Sequence, residues 1–175
     1  GVTITTNEND ADGISVATND GSATITSFAD ITTSFKNGDA LSAKTTAGDI
    51  SISSTGDLDV DGFYGHGIRA LSDTGKITIT HTGDIETYGT GGFGIRAITK
   101  NDIDITVEGD ITVRNSAAIL AQASAGNVTI SFTGDIDTKD DNSGGLEIVA
   151  KVGTVAITHA GAITTLGDSS IGIEA

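Results

Sequence analysis

The amino-acid sequence predicts an all-β fold: a right-handed, three-sided parallel β-helix (solenoid) of about 27 residues per turn and six to seven turns. Three observations support this prediction. Apolar residues recur at a fixed period, three such columns run in phase, and Gly-rich turn chemistry separates them. The columns are Ile25, Ile52, Ile79, Ile105, Ile130 and Ile157; Ile4, Ile31, Leu58, Ile85, Ile111, Ile136 and Ile163; and Ile14, Leu41, Ile68, Ile95, Ile119, Leu146 and Ile173.

One turn, GKITITHTGDIETYGTGGFGIRAITKN, shows how each element is predicted. Alternation within Lys76–Thr80 predicts a first strand with every second residue on the same face. The following Gly83 and Asp84 predict a turn, since Gly accepts positive φ and Asp can bond a nearby backbone N–H. A second strand is predicted at Ile85–Thr87. A third is predicted at Gly94–Ala97, after a Gly-rich loop.

Strands this short cannot form a sheet within one turn, so each is expected to pair with its equivalent one turn away, at about 4.8 Å. A second inward column accompanies each strand, and residue size is kept within it. These positions are Ile50, Ile77, Ile103, Val128 and Val155; Thr33, Val60, Thr87, Val113, Thr138 and Thr165; and Ala43, Ala70, Ala97, Ala121 and Ala175. Residues 99–125 form a shortened turn whose deletions fall in corners, where they are tolerated.

The chain is expected to be a single β-helix segment, residues 1–175, and a fragment of a longer repeat array, because neither end carries the polar cap that repeat rods need. The formal charge of −15 and pI near 4.1 argue against a nucleic-acid partner, whose phosphates require Lys and Arg. No window reaches the roughly 18 apolar residues of a membrane span, so no membrane insertion of this segment is expected. The absence of Cys removes thiol chemistry and disulfides.

The repeated segments GDIETYG (83–89), GIRA (94–97) and GKITI (75–79) resemble the passenger-domain β-helix repeats of bacterial autotransporters and related large secreted adhesins. The resemblance covers the whole chain. It implies export across an outer membrane, display at the bacterial cell surface or secretion, and adhesion or scaffolding. It carries over no functional residue.

Aromatic residues gather in the corner between second and third strands, on three successive turns that also place two arginines outward. Aromatic faces and guanidinium groups dominate contact energetics, so these residues form a candidate contact ridge for a protein or glycan. The alternative is that some rings only cover the corner, and Phe93 is expected to point inward. The contact ridge consists of Phe35, Phe63, Tyr64, Arg69, Tyr88 and Arg96.

An acidic column follows the first corner of successive turns and offers the clustered oxygen ligands that Ca²⁺ favours. The interpretation preferred here is a solvated turn column in which each Asp bonds its own backbone, so no metal site is assigned. The column consists of Asp30, Asp57, Asp84, Asp110 and Asp135, with Asp59, Glu86 and Asp137 outward beside it.

Other patterns carry less weight. Outward Thr and Ser pairs on the first strands resemble an ice-binding grid, but Asp104 and Ala156 interrupt it. The GxGxxG match at 89–94 is followed by a strand, whereas a dinucleotide site needs a helix there. His81 and His159 share a column three turns apart, about 14 Å, too far for one metal. His66 lies on another corner.

The sequence therefore predicts a structural and adhesive rod segment of a surface-displayed or secreted bacterial protein, with no catalytic residues and no cofactor. The expected partner is a surface protein or glycan of a host or neighbouring cell, and end-to-end or side-by-side self-association is a further expectation. The alternative is a carbohydrate-active β-helix enzyme, a polysaccharide lyase or hydrolase, because such enzymes share this fold. An ice-binding solenoid is the remote alternative.

Overall fold

The computed structural model describes all 175 residues and contains only strands, turns and loops. In chain order the strands are β1 Val2–Thr6, β2 Ile14–Ala17, β3 Ala23–Ser27, β4 Ala29–Thr33, β5 Leu41–Thr45, β6 Ile50–Thr55, β7 Leu58–Val60, β8 Ile68–Ser72, β9 Ile77–Thr82, β10 Ile85–Thr87, β11 Ile95–Thr99, β12 Ile103–Glu108, β13 Ile111–Val113, β14 Ile119–Ala123, β15 Val128–Thr133, β16 Ile136–Thr138, β17 Leu146–Ala150, β18 Val155–Ala160, β19 Ile163–Thr165 and β20 Ile173–Glu174.

Every third strand belongs to the same sheet. The first sheet has the order β3-β6-β9-β12-β15-β18, the second β1-β4-β7-β10-β13-β16-β19, and the third β2-β5-β8-β11-β14-β17-β20. All pairings are parallel, and each joins a strand to its equivalent one turn away. The predicted three-sided parallel solenoid is therefore confirmed. Its right-handed sense remains the expectation of the general rule for parallel crossovers.

The three apolar columns predicted from the sequence are the pairing register of the three sheets. Ile79 lies beside Ile52 and Ile105 in the first sheet. Across the shortened turn, Ile95 still pairs with Ile119, although the corner before Ile119 is shorter. Corner deletions thus leave the strand register unchanged.

The interior is a thin aliphatic stack, and all three predicted columns contribute to one core cluster. The inward alanine column of the third sheet is less uniform than expected, because Val16 pairs with Ala43 and Ile148 pairs with Ala121. Thr33 and Thr87 of the second sheet are buried with their hydroxyls satisfied locally, whereas the Oγ1 of Thr138 is buried without a hydrogen-bond partner. Thr33 Oγ1 donates to the carbonyl of Gly38 at 3.0 Å.

Two predicted strands have boundaries that are wrong by one or two residues at each end. The first strand of the example turn is Ile77–Thr82 rather than Lys76–Thr80, and the third is Ile95–Thr99 rather than Gly94–Ala97. The longer first strand adds a third inward position, which the sequence pattern did not reveal because its chemistry varies. That column consists of Ser27, Ser54, His81, Val107, Phe132 and His159.

His81 is the fully buried polar member of that added column. Its Nδ1 lies 2.8 Å from Ser54 Oγ, while Nε2 is buried without a hydrogen-bond partner. Burial lowers the pKa of His81 to about 4, against the opposing attraction of Asp57 and Asp84. His81 and His159 share the column as predicted, with Val107 and Phe132 between them.

Replacing Ile79 by Asp tests the core. Ile79 is 1% exposed in the middle of β9, so Ile79→Asp buries an unpaired charge in a continuous stack. We expect a loss of at least about 4 kcal/mol, or failure to fold. The measurement is the urea midpoint and thermal melting by circular dichroism. The control is Thr80→Asp, one residue further on the exposed face. Equal stability of the two variants would contradict the register.

Replacing His81 by Val tests how the folding stability depends on pH. The folded-state pKa of His81 lies below its unfolded value, so the unfolded chain binds a proton first as the pH falls. The contribution of neutral His81 to the free energy of unfolding is fully present above about pH 6.5. It is lost as the pH falls toward about 4, by at most about 3 kcal/mol. His81→Val removes this loss, and Val107 shows that the column accepts valine. Urea midpoints measured between these pH values should fall less steeply in the variant. An unchanged slope would assign acid sensitivity elsewhere, first to His66.

Candidate functional site

The acidic column at the first corner is a ladder of hydrogen bonds between turns. Each Asp accepts a hydrogen bond from the backbone N–H of the equivalent residue one turn later. Asp57 Oδ1 receives the N–H of Asp84 at 3.0 Å, and Asp84 Oδ1 that of Asp110 at 2.8 Å. The expectation that each Asp bonds its own backbone is therefore wrong. In the remaining links, the carboxylates of Asp30, Asp110 and Asp135 accept the backbone N–H groups of Asp57, Asp135 and Ala162, respectively.

The Gly before each Asp lets successive turns approach at this corner. Gly83 has φ of 135°, and a Cβ built there would lie 2.5 Å from the carbonyl oxygen of Gly56, one turn earlier. A side chain would therefore meet both backbone strain and a steric clash. The Gly-Asp pair is a structural unit: Gly brings the turns together and Asp joins them.

Carboxylates also cover the outer face of the second sheet beside this ladder. Two solvent-open depressions are lined there, one by Asp57, Asp59, Asp84 and Glu86 and the other by residues that include Asp110, Asp135 and Asp137. Burial, together with the charges of Asp61 and Glu86, raises the pKa of Asp59. No group of three or more His, Asp or Glu side chains is arranged to hold a metal ion.

The aromatic members of the contact ridge lie at the second corner, as predicted, and all four are exposed: Phe35, Phe63, Tyr64 and Tyr88. They do not stack on one another, because the two close aromatic pairs of the chain are His66–Phe93 and Phe132–His159. The prediction that Phe93 points inward is met in part, since Phe93 is half-buried.

Cations approach two of these exposed rings. The guanidinium carbon of Arg114 lies 5.2 Å from the ring centre of Tyr88, and Lys36 Nζ lies 6.0 Å from that of Tyr64. The Tyr88 hydroxyl donates to Glu86 Oε2, and this hydrogen bond raises the pKa of Tyr88 to about 12. Tyr88 is thus held between a carboxylate and an arginine. Arg114 belongs to this corner although the sequence interpretation left it out.

The two arginines of the contact ridge form a separate pair on the outer face of the third sheet. Arg69 and Arg96 are register partners on adjacent turns. Arg69 Nη1 lies 3.1 Å from Oδ2 of Asp39, a carboxylate that is 2% exposed. Arg96 takes part in none of the ion pairs, and its Nε is buried without a hydrogen-bond partner. Burial and the neighbouring charge of Arg69 lower the pKa of Arg96.

Asp39 and His66 support this arginine pair from the second corner. The N–H of His66 donates to Asp39 Oδ1 at 2.9 Å, and the N–H of Phe93 donates to His66 Nδ1 at 3.0 Å. Burial raises the pKa of Asp39, although the His66 N–H and Arg69 both favour its carboxylate. Burial, Arg96 and Arg69 lower the pKa of His66 to about 4, so its ring is neutral near pH 7. Sequence reasoning missed Asp39. The available signal was its position two residues before an inward Leu, because His66 and Phe93 occupy the equivalent position in the two following turns.

The remaining sequence candidates are placed as follows. Outward hydroxyls line the first sheet, and Asp104 interrupts them and forms an ion pair with Lys76. The GxGxxG match lies in the second corner and leads into β11, a strand. The chain forms strands, turns and loops without any helix, so it contains no candidate membrane-spanning helix.

Comparisons of the chain with protein-family models, with curated proteins and with solved structures give no match. The function of the chain is therefore inferred from its fold and from the surfaces described above.

Replacing Asp84 tests the ladder. Asp84→Ala removes the acceptor of the Asp110 N–H and should cost about 1 kcal/mol, as loss of a capping side chain does. Asp84→Asn retains an oxygen acceptor and relieves repulsion between turns, so we expect a smaller loss. Urea denaturation of both variants measures the difference. Equal losses would mean that the charge, and not the hydrogen bond, matters.

The same proteins test Ca²⁺ binding. A cation bound only to the folded state raises the melting temperature and saturates. We expect millimolar Ca²⁺ to act no differently from NaCl of matched ionic strength. A saturable, Ca²⁺-specific rise that Asp84→Asn abolishes would make the ladder a metal site.

Proposed function

We propose that this chain is a structural and adhesive rod segment of a surface-displayed or secreted bacterial protein of the autotransporter-adhesin type. It contacts a protein or glycan of another cell through the second corner. The observation that carries the proposal is the exposure of four aromatic rings at one corner of a rigid solenoid, with cations beside two of them.

The geometry suits contact because the rings lie on a backbone that is fixed by pairing on both sides. Tyr64 has φ of 63°, the left-handed conformation that Asn37 and Asn115 adopt in equivalent positions. A tyrosine in this conformation is unfavourable for folding, since asparagine tolerates it better. Features that cost stability and expose an aromatic ring point to a role at the surface.

The second candidate function is a carbohydrate-active enzyme. It is favoured by the geometry of the outer face of the second sheet, where Asp59 and Glu86 line one open depression and burial raises the pKa of Asp59. Two neighbouring carboxyls, one of them with a raised pKa, are the arrangement used in acid–base hydrolysis of glycosidic bonds. This face also bears the inter-turn ladder, which gives its carboxylates a structural use.

Adhesion is tested with beads coated with the protein and with a surface glycan array. The ridge variant is Phe63→Thr/Tyr64→Asn, which installs the residue types that the chain itself uses one turn away, Thr90 and Asn37. Wild-type beads should bind cells or glycans, and the ridge variant should lose at least about tenfold, the size of a hot-spot loss. Thr78→Ser on the first sheet is the control and should bind as the wild type does.

Two outcomes contradict the proposal. The ridge variant binding as tightly as the wild type would remove the second corner from the contact. Product formation from an acidic polysaccharide, abolished by Asp59→Asn, would establish the enzyme instead.

A further inference from the structure

The outer face of the third sheet carries a surface unlike the rest of this acidic chain. Strands β8, β11 and β14 present Arg69, Leu71, Arg96 and Ile98, followed one turn later by Leu120 and Gln122, and no carboxylate. The whole chain has 24 Asp and Glu against 9 Lys and Arg, so a face with two arginines and no acidic side chain on three consecutive turns is a local exception.

Arg96 is the unsatisfied member of this face. Arg69, one turn away, is already neutralised by the buried Asp39 at 3.1 Å. Arg96 has no carboxylate partner, and its buried Nε lacks any hydrogen-bond acceptor. A buried donor left without a partner costs stability, of the order of a lost hydrogen bond. Because Nε has no solvent access, a ligand reaches Arg96 through its terminal amino groups, Nη1 and Nη2, which make no hydrogen bond within the chain. These two groups can bind a carboxylate by two parallel hydrogen bonds, so the ligand they fit is a planar anion.

We propose that Arg96, with Arg69 and Gln122 beside it, is a binding site for the carboxylate of an acidic sugar residue within a glycan. This inference rests on the proposed adhesive function and names the ligand class of a second contact surface, adjacent to the aromatic corner. The Arg96 guanidinium binds the carboxylate. The amide of Gln122, which pairs in register with Ile98, is placed to hydrogen-bond a sugar hydroxyl, and Ile98 offers a small apolar surface to the C–H face of the ring.

The form of the surface favours a sugar over a protein segment. Both strands that carry the arginines are internal in the seven-stranded sheet, so no backbone edge is free for an added peptide strand. The apolar side chains of this face expose little surface, since Leu71 and Ile98 are half-buried and Leu120 is 6% exposed. A protein hot spot needs a larger apolar contact or a pocket. One carboxylate, hydroxyls and a small C–H face are what a uronic acid presents.

The support of Arg96 is built into the fold. His66 packs its ring 5.5 Å from that of Phe93 and is neutral near pH 7, because burial and the charges of Arg96 and Arg69 lower its pKa to about 4. The Asp39–Arg69 pair lies one turn below, so Arg69 carries a partner of its own and does not compete for the ligand. The site therefore presents one available positive charge at a fixed position, which selects a single carboxylate.

The test uses the full chain and an oligogalacturonate trisaccharide, with its carboxyl-reduced form as the neutral control. Short oligosaccharides and about 0.15 M salt limit long-range repulsion by the acidic protein, since the Debye length is then about 8 Å. Binding is followed by NMR through the Nε–H resonance of Arg96, assigned as the signal that Arg96→Lys removes. We expect a saturable shift of this resonance with the acidic trisaccharide and none with the reduced one.

Substitutions then separate charge from shape. Arg96→Leu, which copies Leu120 in the same column one turn later, should weaken binding by at least about tenfold while the chain stays folded. Arg96→Lys keeps the charge but loses the fork, so a smaller loss is expected. Lys100→Gln, at the exposed third corner, is the control and should leave binding unchanged.

Three results would overturn the site: equal binding of the neutral trisaccharide, equal loss in Lys100→Gln, or a shift at Arg96 only with an acidic peptide. These results are distinct from failure of the adhesive function. If cell binding persists and depends on Phe63 and Tyr64 while oligogalacturonate does not bind, only the acidic-sugar site is lost. If the trisaccharide binds but coated beads do not adhere, the site exists and the adhesive function is wrong.

Discussion

Hydrogen bonding between equivalent residues of successive turns is the constraint on which the rest of this structure depends. No turn contains a sheet of its own, so every strand obtains its backbone partners from the turns above and below. The corners meet the same requirement with side chains. Asp84 accepts the N–H of Asp110 at the first corner, and Asp39 accepts the N–H of His66 at the second. A deletion in a corner is tolerated only if these links and the strand register survive it.

The same constraint determines the surface. Because a residue lies beside its equivalent one turn away, every outward position becomes a column with a spacing of about 4.8 Å. Like charges in a column repel, and the acidic ladder tolerates this because each carboxylate also accepts a backbone N–H. The two arginines, by contrast, are not each given an acceptor by the repeat. Arg69 uses the buried Asp39 of the preceding turn, while the equivalent position one turn before Arg96 is His66, which supplies no carboxylate.

Most of the fold could be predicted from the sequence, because the inward columns are apolar and periodic. Ile79, Ile85 and Ile95 each mark a strand, and the structure places them in three different sheets as expected. The sequence placed His81 and His159 in one column, but the inward direction of that column could not be predicted, since Ser, His, Val and Phe occupy it with no common polarity. Strand ends are set by pairing between turns and have no local signal.

The candidate site was only partly predictable, for a related reason. Aromatic residues within a Gly-rich corner segment are predicted to be exposed, and the structure confirms the exposure of Tyr64 and Tyr88. Whether a charged side chain is paired depends on residues about 27 positions away. Asp39 reaches Arg69 across one turn, a separation of 30 residues. The sequence placed both arginines outward but could not distinguish the neutralised one from the unpaired one.

The distribution of charge explains why recognition would concentrate at the second corner and the third sheet. Elsewhere the outward columns carry carboxylates or hydroxyls, which are well hydrated and gain little from contact with a partner. At the second corner, the backbone that carries the exposed rings is held by hydrogen bonds between turns, so little backbone entropy is lost on binding. A rod with a net charge of −15 repels most anionic surfaces at long range. Contact through Arg96 therefore favours a short acidic oligosaccharide, one carboxylate of which binds the guanidinium, over a long polyanion that the net charge of the rod repels.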